Sequence, residues 1–242
     1  MNVNISIATV RGPKNHRESK RNQDAILKRV WRAHWLVVVC DGMGSRPYAS
    51  LGSYLACKAV CTTLRETNFN EPEKSVVKRI YQQWLMYLKD YLPRTPPKDA
   101  ATTCLFAWGD SSGKVRLFQL GDGAIYYMTD TFGVNHEKSD NMFGNETTAL
   151  GYSIRWQDWT YREIQLDFGA TITLMTDGIS DDIDKPQQFL DFLSGKFIAI
   201  SPRQGKKYLI NELNNWQTPH HSDDKSIGVI IWKKQHGSST KE

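Results

Sequence analysis

The chain of 242 residues is 40% hydrophobic and carries eight Trp, ten Tyr and nine Phe, enough for one large core and too much for a disordered protein. Its 31 Lys and Arg against 26 Asp and Glu leave a formal charge of +5, but the cations are scattered, with no basic stripe and interleaved aromatics, which excludes a dedicated nucleic-acid binder and argues weakly for anionic substrates. No apolar run approaches about 18 residues, residues 1–10 show no leader pattern, and Cys40, Cys57, Cys61 and Cys104 have neither metal-ligand spacing nor disulfide-scaffold density, so a cytoplasmic protein without membrane attachment is expected.

Residues 2–10 alternate with period two, Val3, Ile5 and Ile7 facing one way, as in a first strand. The polar segment 11–21 gathers Arg11, Lys14, His16, Arg17, Lys20 and Arg21; a solvated loop and an anion-binding loop account for it equally well. Residues 25–30 and 34–40 form a hairpin. Its second strand is apolar on both faces at 36–40, the pattern of a strand buried between two layers, and it stops on Asp41 followed by Gly42 and Gly44. Helices are expected over 48–66 and 72–92, each with one apolar face, the second opened by Pro72 between Glu71 and Glu73. A proline-rich connector leads to strands at 102–108, 114–119 and 124–128, read as a meander with turns at 109–113 and 121–123. The polar stretch 129–152 has no clear period and reads as a flap over a site. Strands at 161–166 and 171–176, helices at 186–193 and 203–216 and a last strand at 227–232 complete the order. Such an order fits mostly antiparallel sheets with helices outside. One domain over residues 1–235 is expected, with a polar tail at 236–242.

Acidic residues recur where these strands begin or end: Asp24, Asp41, Asp122, Asp177 and the pair Asp223–Asp224. A carboxylate at the lip of a dry layer is costly unless paired, and oxygen-only clusters suit hard cations such as Mg²⁺ or Mn²⁺. Two cations held between Asp41, Asp177 and the 223–224 pair would acidify a water and neutralise phosphoryl oxygens, a template for phosphoester hydrolysis without a covalent enzyme intermediate. There is no G-x-S-x-G elbow, H-E-x-x-H helix or P-loop to support acyl transfer, zinc proteolysis or nucleotide-driven work.

The ordered set N-Q-D-A at 22–25, V-V-V-C-D-G-M-G-S at 37–45, A-T-T at 101–103, L-G-D-G at 120–123, L-M-T-D-G-I-S-D at 174–181 and D-D-K-S-I-G-V-I at 223–230 resembles the metal-dependent protein serine/threonine phosphatases of the 2C type. The likeness spans nearly the whole chain, and the D-G-M-G-S form together with His16 resembles a bacterial subgroup. It implies an α+β fold, a four-layer αββα sandwich of two mainly antiparallel sheets flanked by helix pairs. It also implies two Mn²⁺ or Mg²⁺ ions, with Asp41 bridging both, the Gly42 carbonyl completing one site, and Asp177 and Asp223 holding the other. Asp24 would orient water, and Asp122 and Asp181 match positions used for a third, looser metal. Asp223 is placed ahead of Asp224 because Ser226 then matches the family's threonine. The family's phosphate-binding arginine falls at Ser19 here, so His16, Arg17 and Arg21 become the candidates for that contact, and Gln23 stands where an acidic residue is common. The implied partners are a phosphorylated protein substrate and a serine/threonine kinase acting on the same targets. Two rival readings stay open: a non-catalytic binding or regulatory module of the same fold, and a phosphoesterase for small phosphates.

Overall fold

The apolar run at 36–40 has no polar face to offer water, and it becomes the buried centre of a four-layer structure. The computed structural model describes residues 3–31, 33–135, 148–152, 155–216 and 222–233. In chain order its elements are β1 (Val3–Val10), α1 (Pro13–Arg17), β2 (Asp24–Val30), β3 (His34–Asp41), α2 (Ala49–Arg65), α3 (Glu73–Tyr91), β4 (Cys104–Asp110), β5 (Lys114–Leu120), β6 (Ala124–Met128), β7 (Phe132–Val134), β8 (Thr160–Gln165), β9 (Thr171–Met175), α4 (Asp177–Ser180), α5 (Pro186–Ile198), α6 (Pro202–Asn214) and β10 (Lys225–Trp232). Among the described residues they form two five-stranded sheets, β1-β10-β9-β6-β7 and β2-β3-β4-β5-β8, with every neighbouring pair antiparallel.

Strand β3 shows how the layers arise. Alternate side chains point to opposite faces. Leu36, Val38 and Cys40 pack on the apolar faces of α2 and α3, while Trp35, Val37 and Val39 face the other sheet against Ile5, Ile125 and Ile172. The outer face of that other sheet is covered by α5 and α6 through Leu190, Leu193, Phe197, Leu209 and Leu213. The result is the expected αββα sandwich. Trp84 on α3, fully buried, donates its Nε1 to the Gly52 carbonyl of α2 at 3.1 Å and so stitches the first helix pair together.

Several local expectations need correction. The strands at 114–119 and 124–128 do not continue one meander: β5 pairs with β4 and β8, whereas β6 pairs with β9 and β7 in the opposite sheet. The turn between them crosses layers, with Gly121 at φ 85° and Gly123 at φ 106°, a region open to glycine and costly for other residues. The polar side of β1, on which the alternation is silent, is also covered. Asn4 and Ser6 lie beneath the start of α6, where Asn4 Nδ2 donates to the Ile200 carbonyl at 2.8 Å and a Cβ on Gly205 would collide with Ser6 Oγ. The charged loop contains the short helix α1, and the stretch read as a flap begins with β7 paired to β6. The remainder of that stretch at 136–147 and the tail at 236–242 lie outside the described residues.

Candidate active site

The site is assembled where strand ends from both sheets meet. β2 and β3 pair in a register that sets Asp24 directly opposite Asp41. The segment 101–103 then clamps the Asp41 backbone: Thr103 Oγ1 accepts from the Asp41 amide at 2.8 Å, and the Thr103 amide and Thr102 Oγ1 each donate to the Asp41 carbonyl at 2.8 Å. Gly42 follows because no side chain fits there; a Cβ would meet the Ala49 carbonyl and lie 2.8 Å from the Gln23 oxygen. In the other sheet, β9 delivers Asp177 to the first turn of α4, where the Gly178 amide donates to Asp177 Oδ1 at 2.7 Å and the glycine leaves room for the Asp224 backbone.

The adjacent acids at 223 and 224 have different environments. Asp224 is buried and anchors the segment from Gly12 to Gln23: its Oδ1 accepts from the Gly12 amide at 2.6 Å, its Oδ2 from the Gln23 amide at 2.6 Å and from Asn15 Nδ2 at 2.7 Å. No donor to the Asp223 carboxylate occurs among the described residues. A cleft of about 300 Å³ brings together Asp41, Gly42, Asp122, Asp177, Asp223 and Asp224. Asp24 lies behind it, 8% exposed, accepting from Thr176 Oγ1 at 2.9 Å and opening toward a neighbouring groove. Asp181 is off the cleft wall yet close enough to act on Asp177. Arg21 lines the neighbouring groove, while His16 and Arg17 are exposed on α1 and line neither cavity. Ser19, at the position of the expected arginine, has φ 55°. Lys14 and Asn15 also border the cleft; the sequence marks Lys14 only as one cation of the charged loop and Asn15 not at all, since an uncharged residue there carries no local signal.

A family model for protein phosphatase 2C matches residues 11–215. The chain belongs to the protein phosphatase 2C family. Solved structures of the same fold include the serine/threonine phosphatase PstP/Ppp of Mycobacterium tuberculosis, 14% identical over 97% of this chain and 100% of that one, with a TM-score of 0.69. The catalytic domain of PstP in complex with two manganese ions is 17% identical over 96% and 99%, with a TM-score of 0.65. RsbX in complex with magnesium is 12% identical over 95% and 94%, with a TM-score of 0.63. At these identities the likeness is one of fold. No curated protein matches the chain by sequence.

Within this phosphatase 2C fold the electrostatics are those of carboxyls crowded in a dry place. Burial, then the charges of Asp24, Asp177 and Asp223, hold the Asp41 carboxyl well above the usual carboxylate range. Asp24 is pushed up to about 7 by burial and then by Asp224. Asp177 is raised by burial against the opposing Gly178 amide, with Asp181, Asp223 and Asp122 adding to the rise. Among the described residues no three His, Cys, Asp or Glu side chains already converge as a closed ligand set. The donors that line the cleft are nonetheless all oxygen, and carboxyls that resist ionising together are relieved by a dication, so the residues fit Mg²⁺ or Mn²⁺. No helix among the described residues is long and apolar enough to cross a membrane.

Proposed function

We propose that the chain is a protein serine/threonine phosphatase that hydrolyses phosphoserine and phosphothreonine esters with a water activated at a binuclear Mn²⁺ or Mg²⁺ centre. The observation that carries this reading is the meeting of Asp41, Asp122, Asp177 and Asp223 from both sheets in one cleft. Bound there, the two cations would lower the pKa of the attacking water and neutralise phosphoryl oxygens. Asp41, fixed by its threonine clamp, would hold them together with the Gly42 carbonyl, Asp177 and Asp223. Asp122 and Asp181 serve a third, looser ion. Asp24, facing Asp41 across the β2–β3 pair and held by Thr176, orients the attacking water and is poised to hold its proton. Asp223 and not Asp224 takes the ligand role, because all three donors around Asp224 already occupy its oxygens. Of the three candidates for phosphate contact, Arg21 is the one that lines a cavity joined to the cleft. The substrate is a phosphorylated protein opposed by a kinase, in the cytoplasm.

Phosphate release from a phosphothreonine peptide, measured with Mn²⁺, with Mg²⁺ and with chelator, tests the reading. Metal-dependent turnover abolished by Asp41→Asn is expected. Metal binding without turnover would make the chain a non-catalytic member of the fold, and faster turnover of nucleotides than of peptides would make it a small-phosphate esterase.

A further inference from the structure

Beside the acidic cleft runs a second and larger groove of about 970 Å³. The two border on the same residues, Gln23, Gly44 and Ser45, so the groove lies immediately beside the acidic cleft. Their linings are opposite in character. Lys20 and Arg21 from the segment before β2, and Arg46 from the segment after β3, bring three cations to the groove. Tyr48, Leu51 and Tyr54, at the start of α2, supply an apolar floor on which Tyr54 is 55% exposed. Asp24 is the one acid in that lining, and it is turned inward to Thr176.

The cations differ in how far they are engaged. Lys20 is paired with Glu18 at 2.7 Å at the surface. Arg21 and Arg46 have no ion-pair partner among the described residues. Arg46 is held in place instead: its guanidinium lies over the Tyr152 ring at 5.2 Å, and its Nε is buried without a hydrogen-bond partner. An arginine oriented by stacking with donors left over is prepared for an external carboxylate or phosphate, which its planar fork matches.

We infer that this groove binds the acidic flank of the phosphoprotein substrate, with Arg46 pairing to Asp, Glu or an additional phosphate group, Arg21 being left to the phosphate that is hydrolysed, and Tyr54 covering an adjacent apolar side chain. The inference rests on the proposed phosphatase reading and adds the substrate class: phosphosites in acidic rather than basic surroundings. The flank is recognised by attraction, and basic flanks are disfavoured by the same charges.

The test compares kcat/KM in Mn²⁺ for two phosphothreonine peptides of equal length, one flanked by Glu and Tyr and the other by Lys and Tyr, with a small phosphoester dye as reference. A preference of roughly tenfold for the acidic peptide, carried by KM and shrinking as salt is raised, is expected. Arg46→Ala and Tyr54→Ala should each reduce that preference several-fold; both positions are at least partly exposed, and thermal melting confirms that the variants fold. Equal kcat/KM for the two peptides, or a preference untouched by both substitutions, would overturn the inference while leaving phosphatase activity standing. If even the dye is not turned over, the catalytic reading fails by itself. Fluorescence anisotropy of the labelled, unphosphorylated acidic peptide then decides the groove: binding weakened by Arg46→Ala supports it, and no binding overturns it.

Discussion

Replacing Asp224 by alanine offers the sharpest test of how the site is held together. The side chain is 5% exposed and accepts three hydrogen bonds, from the amides of Gly12 and Gln23 at 2.6 Å and from Asn15 Nδ2 at 2.7 Å. Hydrogen bonds to a charged acceptor contribute about 1.5–3 kcal/mol each, and removing the acceptor strands donors in a buried place. The three share one acceptor and are not additive, and losing the Asp224 charge relieves the burden on Asp24, so the expected net loss is about 3–5 kcal/mol. Asp224→Asn should fare little better, because its amide nitrogen would face either the Gly12 donor or the Asn15 and Gln23 donors. Urea unfolding of chelator-treated protein, followed by circular dichroism and fluorescence, gives the number. The neighbouring Asp223→Ala is the control, since the Asp223 carboxylate receives no donor among the described residues and adds negative charge to the cleft; its metal-free stability should be unchanged or slightly raised while turnover collapses. A loss below about 1 kcal/mol for Asp224→Ala, against the range expected for buried charged acceptors, would refute the view that this residue fastens the N-terminal segment.

The carboxyls make metal-free stability depend on pH with a definite sign. Asp24, pushed up to about 7, and Asp41, raised well above the usual carboxylate range, keep protons in the folded state that the unfolded chain gives up near its ordinary value of 3.8, so stability should fall as pH rises from about 4 to 7 and Mg²⁺ or Mn²⁺ should restore it at neutral pH. Melting temperatures that climb through that window without metal would contradict the assignment. Gly42→Ala should be destabilised and inactive, because its Cβ has no room beside the Ala49 carbonyl and the backbone that carries Asp41 must move. Trp84→Ala should lose about 3–5 kcal/mol in chemical denaturation, the cost typical of a buried aromatic deleted from a core, with an unpartnered Gly52 carbonyl added.

Much of this architecture can be read locally. The doubly apolar run at 36–40 announces a strand between layers, and the four-residue spacing of Val76, Ile80, Trp84 and Leu88 announces the helix face that covers it. What local patterns miss is direction. A turn such as 121–123 reads as a hairpin, yet positive φ at two glycines sends the chain to the opposite sheet, and this crossing is what carries Asp122 to the cleft. Period two in β1 correctly marks a strand but does not say what covers its other face, where Asn4 meets the Ile200 carbonyl before α6 and Ser6 the Pro202 carbonyl at its start. The charged segment before β2 was undecidable from sequence, because its anchor, Asp224, stands 209 residues from Asn15. Asp41, Asp122, Asp177 and Asp223 were each legible at a strand boundary, whereas Arg46 and Asn15 matter through neighbours that no spacing reveals.

The position of β10 between β1 and β9 gives the molecule a late keystone. A growing polypeptide can already lay α6 on β1 before Asp223 emerges, but β1 gains its strand partner, and the amides at 12 and 23 their acceptor, only when β10 and the carboxylate at 224 arrive. Closing such a long loop is slow, and chains that stop short of β10 should lack the proposed activity because Asp223 is missing from the cleft.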